Sequence, residues 1–249
     1  MAAPTTTTAT RPLAHPHSMP ALDPLLDDLF AGRHGALRAE FDGWLRGSRR
    51  FAAFAETYRG KIRAKLRHAQ DADGLRDVRA ELEVAALLLG EERFAIEYEK
   101  YAAAKQRGPD FTVTFKTHTP FNVEVRRLRA AETDADPEAR AARLVYVLVD
   151  KVKQMPPSFV NLLWLSAEGQ IAEADVPAAA TTLRQLAERK ADDFFTRRGY
   201  ESAADFLRAY GRLSGVVWRW TGQPAVWLNP ITRHKAPPEL VAAIRRLSI

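Results

Sequence analysis

The chain has 249 residues, 46% hydrophobic and 27% charged, enough for one substantial core with a small helical extension. It has no cysteine, which excludes a disulfide framework and cysteine-based zinc sites and fits a reducing, cytoplasmic setting. A net charge of +6 and a pI near 9.7 favour polyanionic partners, and no stretch approaches the roughly 20 apolar residues of a membrane helix.

Residues 1–20, rich in Thr, Ala and Pro, have no apolar run for a signal peptide and nothing to build a core from, and they read as a disordered tail. From 21 to 70 the pattern is helical. Leu22, Leu25, Leu26 and Leu29 share one spacing, Gly32 and Gly35 interrupt, and Leu37, Phe41, Trp44 and Leu45 follow. From Arg49 the series Phe51, Phe54, Tyr58, Ile62 and Leu66 predicts an amphipathic helix of about five turns. Arg59, Lys61, Arg63, Lys65 and Arg67 scatter around it at a spacing of two. A solvated surface accounts for such a run, and phosphate contact through Lys61 and Lys65 is the functional alternative.

Gly74 punctuates the next start. Leu75, Val78, Leu82, Ala85, Ala86 and Leu89 mark a buried helix that Gly90 closes. Residues 94–101 read as a strand. Phe111, Val113 and Phe115 then alternate with polar residues, Thr117-His118-Thr119-Pro120 turns, and Phe121, Val123 and Val125 alternate again: a β-hairpin with one apolar and one polar face. Asp136-Pro137 caps a helix to about Gln154, and Pro156-Pro157 ends it. Residues 159–165 are nearly all apolar, as in a central strand covered on both faces. Helices near 178–195 and 203–210, short strands at 215–220 and 225–228, and a last helix from Pro238 complete an α/β domain over 71–249, with a mixed sheet flanked by helices.

In the hairpin, Asp110 and Glu124 are both even-numbered while the apolar residues are odd, so the two carboxylates share the polar face. A register that sets Asp110 opposite Arg126 makes Glu124 its diagonal neighbour, roughly 7–8 Å away between backbones. Carboxylates reaching inward from that distance can share one Mg²⁺. The plainer alternative is that both face solvent, or that Asp110 pairs with Arg126.

Gly108-Pro109-Asp110 followed by Phe121-Asn122-Val123-Glu124-Val125-Arg126 resembles the motif of the PD-(D/E)XK nucleases. There, an Asp opens one strand and an acidic-x-Lys triplet sits on the next. The order helix, three strands, helix, strand extends the resemblance over residues 75–165. It implies a restriction-endonuclease-like core in which Asp110, Glu124 and Glu81 (Glu83 as second choice) hold Mg²⁺ or Mn²⁺. The metal would activate a water for hydrolysis of DNA in restriction, repair or defence. Lys151, Lys153 and Gln154 look similar to the Lys and Gln that several such families carry on the following helix. A two-fold homodimer would suit cleavage of both strands.

One position departs from that pattern: Arg126 stands where the family usually has Lys. A guanidinium keeps its proton and cannot act as a general base, but it can hold a phosphate or stabilise developing charge. The alternative is therefore a nuclease-like domain without catalysis that serves as a nucleic-acid or protein binding module. The six histidines (15, 17, 34, 68, 118 and 234) have no metal-ligand spacing on a helix. Ser158 has no neighbouring base. Trp218, Trp220 and Trp227 on strands read as core before base-stacking.

Overall fold

The structure, a computed structural model, describes residues 22–101, 108–130, 136–157, 159–169, 171–220 and 222–248. The expected tail at 1–20 and Ser158 lie outside the described residues. The helices are α1 (Leu22–Phe30), α2 (Gly35–Gly47), α3 (Arg49–Thr57), α4 (Arg59–His68) and α5 (Ala72–Gly90), then α6 (Pro137–Val152), α7 (Asp175–Glu188), α8 (Asp192–Thr196), α9 (Ala203–Tyr210) and α10 (Pro238–Arg245). The strands are β1 (Phe94–Tyr98), β2 (Phe111–Phe115), β3 (Thr119–Leu128), β4 (Val160–Ala167), β5 (Gly215–Trp220) and β6 (Gln223–Leu228).

Local chemistry sets the two helices nearest the hairpin. The Asp71 carboxylate accepts the Gly74 N–H at 2.7 Å to start α5, and Asp136 accepts the Glu138 N–H at 3.0 Å with Pro137 opening α6. The strands form one six-stranded mixed sheet in the order β1-β2-β3-β4-β5-β6. β1, β2 and β3 pair antiparallel, β3, β4 and β5 parallel, and β5 with β6 antiparallel.

The sheet divides two apolar layers. On one face Phe94, Tyr98, Phe111, Val113, Phe121, Val123, Leu162 and Trp164 pack with α1–α5 and α10. On the other, Leu163, Leu165, Val216 and Trp218 pack with α6, α7 and α9. β4 contributes to both layers, as its nearly unbroken apolar run requires. The helices of residues 21–70 share the core of the first face. Among the described residues no helix is long and apolar enough to cross a membrane.

Several boundaries differ from the sequence expectations. The five-turn helix is two, α3 and α4, broken at Tyr58, yet Phe51, Phe54, Ile62 and Leu66 of its apolar stripe are buried and Tyr58 is partly buried. β1 stops at Tyr98 because Glu99 turns to a positive φ of 47°. The stretch at 178–195 divides into α7 and α8 around Lys190, whose φ is 54°. The polar face of the hairpin is not a solvent face: Thr112, Asn122 and Glu124 are buried. There Thr112 donates to Asn122 at 3.0 Å, and Asn122 donates across to Asn161 of β4 at 2.9 Å.

The hairpin register also differs. Phe111 pairs with Val123 and Phe115 with Thr119, so the loop is Lys116-Thr117-His118 with Lys116 at φ 57°. Continued by one step, that register sets Asp110 opposite Glu124, not opposite Arg126. The two carboxylates are direct neighbours where a diagonal pair was expected.

Candidate active site

Asp110 closes the ladder at the start of β2. Its carbonyl accepts the Glu99 N–H at 2.7 Å, and its Oδ2 accepts the Val125 N–H at 2.7 Å. The side chain is thereby turned in toward β3. Glu124 comes from β3 itself and points into the α6 layer, where Lys151 Nζ meets its Oε1 at 2.5 Å. Glu81 comes from α5. Its Oε2 accepts the Tyr98 hydroxyl at 2.7 Å and a short hydrogen bond from Lys65, whose ammonium also meets Glu99 Oε1 at 2.7 Å.

Glu81, Asp110 and Glu124 line one cavity of about 150 Å³, with Asp77, Arg126 and Lys151 among its other walls. The expectation that Asp110, Glu124 and Glu81 face one cleft holds in this geometry. Glu83, the second choice, instead pairs with Arg79 at 3.1 Å and Arg219 at 3.1 Å outside it.

The electrostatics single out Asp110. Burial, then the charges of Glu81 and Glu124, raise its carboxyl well above the usual range, against the backbone N–H of Val125 and the charge of Lys65. For Lys65 burial opposes the charge, but Glu81 and Glu99 outweigh it and hold the ammonium protonated. Burial, and then the Glu81 carboxylate, push the Tyr98 phenol upward, so it remains a donor.

The other expected residues are dispersed. Arg126 lines the cavity with an exposed side chain, and no partner for its guanidinium is found among the described residues. Lys153 turns away, donating to Arg198 O at 2.9 Å and lying 4.3 Å from the Tyr200 ring centre. Gln154 lines a neighbouring groove of about 680 Å³ that shares Arg126, Arg127 and Lys151 with the cavity. Lys61 donates to the carbonyls of Tyr98 and Glu99 at 2.8 and 3.2 Å, and Lys65 pairs with Glu81 and Glu99, so both ammoniums are engaged within the fold where the phosphate-contact alternative expects free ones. Arg59 and Arg63 both pair with Asp28.

Sequence reasoning missed Tyr98 and Glu99, which sat inside a supposedly longer strand. It also missed Arg127, whose side chain is 3% exposed and bonds Asp77 at 2.6 Å, Glu168 at 2.7 Å and Asp73 at 3.1 Å. A residue beside Arg126 in a charged run carries no signal that would mark it as buried.

The all-oxygen donor set of Glu81, Asp110 and Glu124 suits a hard cation such as Mg²⁺. Their positions are those of a site held by its own lysines: Glu124 is drawn to Lys151, Glu81 to Lys65 and Tyr98, and Asp110 to a backbone N–H. Correspondingly, among the described residues no three His, Cys, Asp or Glu side chains converge closely enough to hold a metal as they stand. Comparison with family models, with curated proteins and with solved structures gives no match.

Proposed function

We propose that this chain is a divergent metal-dependent nuclease of the PD-(D/E)XK type that hydrolyses phosphodiester bonds in DNA. The observation that carries this reading is the cavity shared by Glu81, Asp110 and Glu124, with Lys151 reaching in from α6. The order α5–β1–β2–β3–α6–β4, with β4 parallel to β3, supports a restriction-endonuclease-like core.

Asp110 and Glu124 would hold Mg²⁺ or Mn²⁺, with Glu81 assisting. Bound there, the metal supplies an activated water and polarises the phosphate. Lys65 and Tyr98 orient the Glu81 carboxylate. Lys151, at the cavity beside Glu124, would provide the ammonium that donates to the phosphate oxygen on which charge develops. Arg126, exposed at the rim, orients the incoming phosphate.

The pairing of Glu124 with Lys151 and of Glu81 with Lys65 favours a second reading, a nuclease-like binding module whose lysines replace the metal. Incubation with plasmid and single-stranded DNA in Mg²⁺, Mn²⁺ and EDTA separates the two. The nuclease reading expects cleavage with a metal, none in EDTA, and none for Asp110→Ala or Glu124→Ala. A wild type that never cleaves, while DNA binding survives Glu124→Ala, favours the module. Cleavage persisting in Asp110→Ala refutes the site.

A further inference from the structure

The groove beside the cavity is built largely from one face of α6. Arg143, Tyr146, Val147, Asp150 and Lys151 recur at helical spacing along it, and Arg126 near the C-terminal end of β3 and Arg129 just beyond it also line the groove. Five of its lining residues are cationic (Arg126, Arg127, Arg129, Arg143 and Lys151) and one is acidic, Asp150, which is itself paired with Arg198 at 3.2 Å. Arg127 is consumed by its three carboxylates and Lys151 by Glu124, but Arg126 is exposed, and Arg129 keeps 65% of its side chain exposed while touching Asp73. Guanidinium groups so placed match the oxygens of a phosphodiester backbone.

Tyr146 lies in the middle of this charged wall and is 47% exposed, the most exposed large hydrophobic side chain among the described residues. The Arg198 guanidinium stands over the ring, 4.2 Å from its centre, and the Phe194 ring lies 6.1 Å away, so both brace it. A lone exposed tyrosine needs no explanation. One braced beside exposed guanidinium groups, next to a cavity lined by carboxylates, offers a platform for a base.

We propose that this groove binds a single-stranded polynucleotide, with one unstacked base lying on Tyr146 and the backbone running past Arg126 toward the cavity. The direction of the strand rests on the nuclease reading above; the stacking does not. A duplex keeps its base faces inside its own stack and gains nothing from Tyr146. A single strand offers a free face with every base, so stacking there tolerates any sequence.

The test is fluorescence anisotropy of the full chain in EDTA, with labelled oligothymidylate, oligouridylate, an abasic strand of equal length and a mixed-sequence duplex. The expected result is tighter binding, on the order of tenfold, of at least one of the two base-bearing strands over both the abasic strand and the duplex. Tyr146→Ala should remove that advantage, and Tyr146→Phe should keep it. Duplex bound as well as single strand, or wild type blind to the loss of bases, overturns the proposal; the abasic comparison needs no variant to fold. Because EDTA silences metal chemistry, absence of cleavage in Mg²⁺ would overturn the nuclease reading while leaving this one standing. Equal affinity for strand and duplex would do the reverse.

Discussion

Lys151 lies in the last turn of α6, where a lysine needs no role beyond complementing the helix dipole. Its ammonium is instead turned onto Glu124, with only 17% of the lysine side chain and 6% of the glutamate exposed. Breaking a buried pair by removing one partner leaves an uncompensated charge and costs roughly 3–5 kcal/mol. Lys151→Ala should therefore melt well below wild type in EDTA. If Glu124 is a metal ligand, Mg²⁺ should restore part of that loss, since a cation then replaces the ammonium. Under the nuclease reading the same variant should cleave more slowly by a factor on the order of 10², the cost of removing one transition-state donor. Arg126→Ala should impair cleavage less, because its guanidinium stands exposed at the rim. A Lys151→Ala protein as stable and as active as wild type would remove Lys151 from the site.

At the scale of elements, Arg127 ties β3 to α5 and to the end of β4 through Asp77, Asp73 and Glu168. Burial works upward on both Asp73 and Glu168, but Arg127 and neighbouring arginines outweigh it and hold both carboxyls below their ordinary values. A carboxyl depressed in the folded state binds fewer protons there than in the unfolded chain. Its stabilisation is complete above the ordinary value, about pH 4, and is lost as pH falls through the lower folded values. Urea midpoints taken from neutral to acid pH should fall more steeply for wild type than for Arg127→Met, so that the gap between them narrows. Parallel curves would show that Arg127 is not the cause.

The parity that put Asp110 and Glu124 on one face of the hairpin was legible in the residues alone, because the strand period admits only two faces. The register was not. It turns on Lys116 adopting a positive φ of 57° in a three-residue loop, which no Gly or Asn announces. The break at Tyr58 was hidden for a related reason: the apolar stripe continues through it, and the one nearby glycine, Gly60, lies inside the first turn of α4 and not at the break. Which lysines reach inward was equally hidden, since a spacing of two around a helix says nothing about what lies against each side. Lys61 and Lys65 are claimed by Tyr98, Glu99 and Glu81 only once β1 packs beside α4.

Across the whole molecule, the question is where a net charge of +6 is displayed. In the run along α4, Arg59 and Arg63 neutralise Asp28, Lys65 neutralises Glu81 and Glu99, and Lys61 is spent on two carbonyls. The groove between α6 and the C-terminal end of β3 displays the guanidiniums of Arg126 and Arg129 beside the cavity. Removing one cation that neutralises a phosphate should reduce the slope of log affinity against log salt by about 0.7 to 0.9, the smaller figure for single strands. Arg126→Ala with Arg129→Ala should thus flatten the slope by about 1.4 for a single strand, twice the single-phosphate effect. Lys61→Ala with Lys65→Ala should leave the slope unchanged and lower the melting temperature, because those ammoniums hold the fold together and do not face a ligand. The comparison is informative because both double variants remove two positive charges. A general loss of attraction to a polyanion would flatten both slopes alike. A flatter slope for the lysine pair alone would return the nucleic-acid surface to α4 and take it away from the groove.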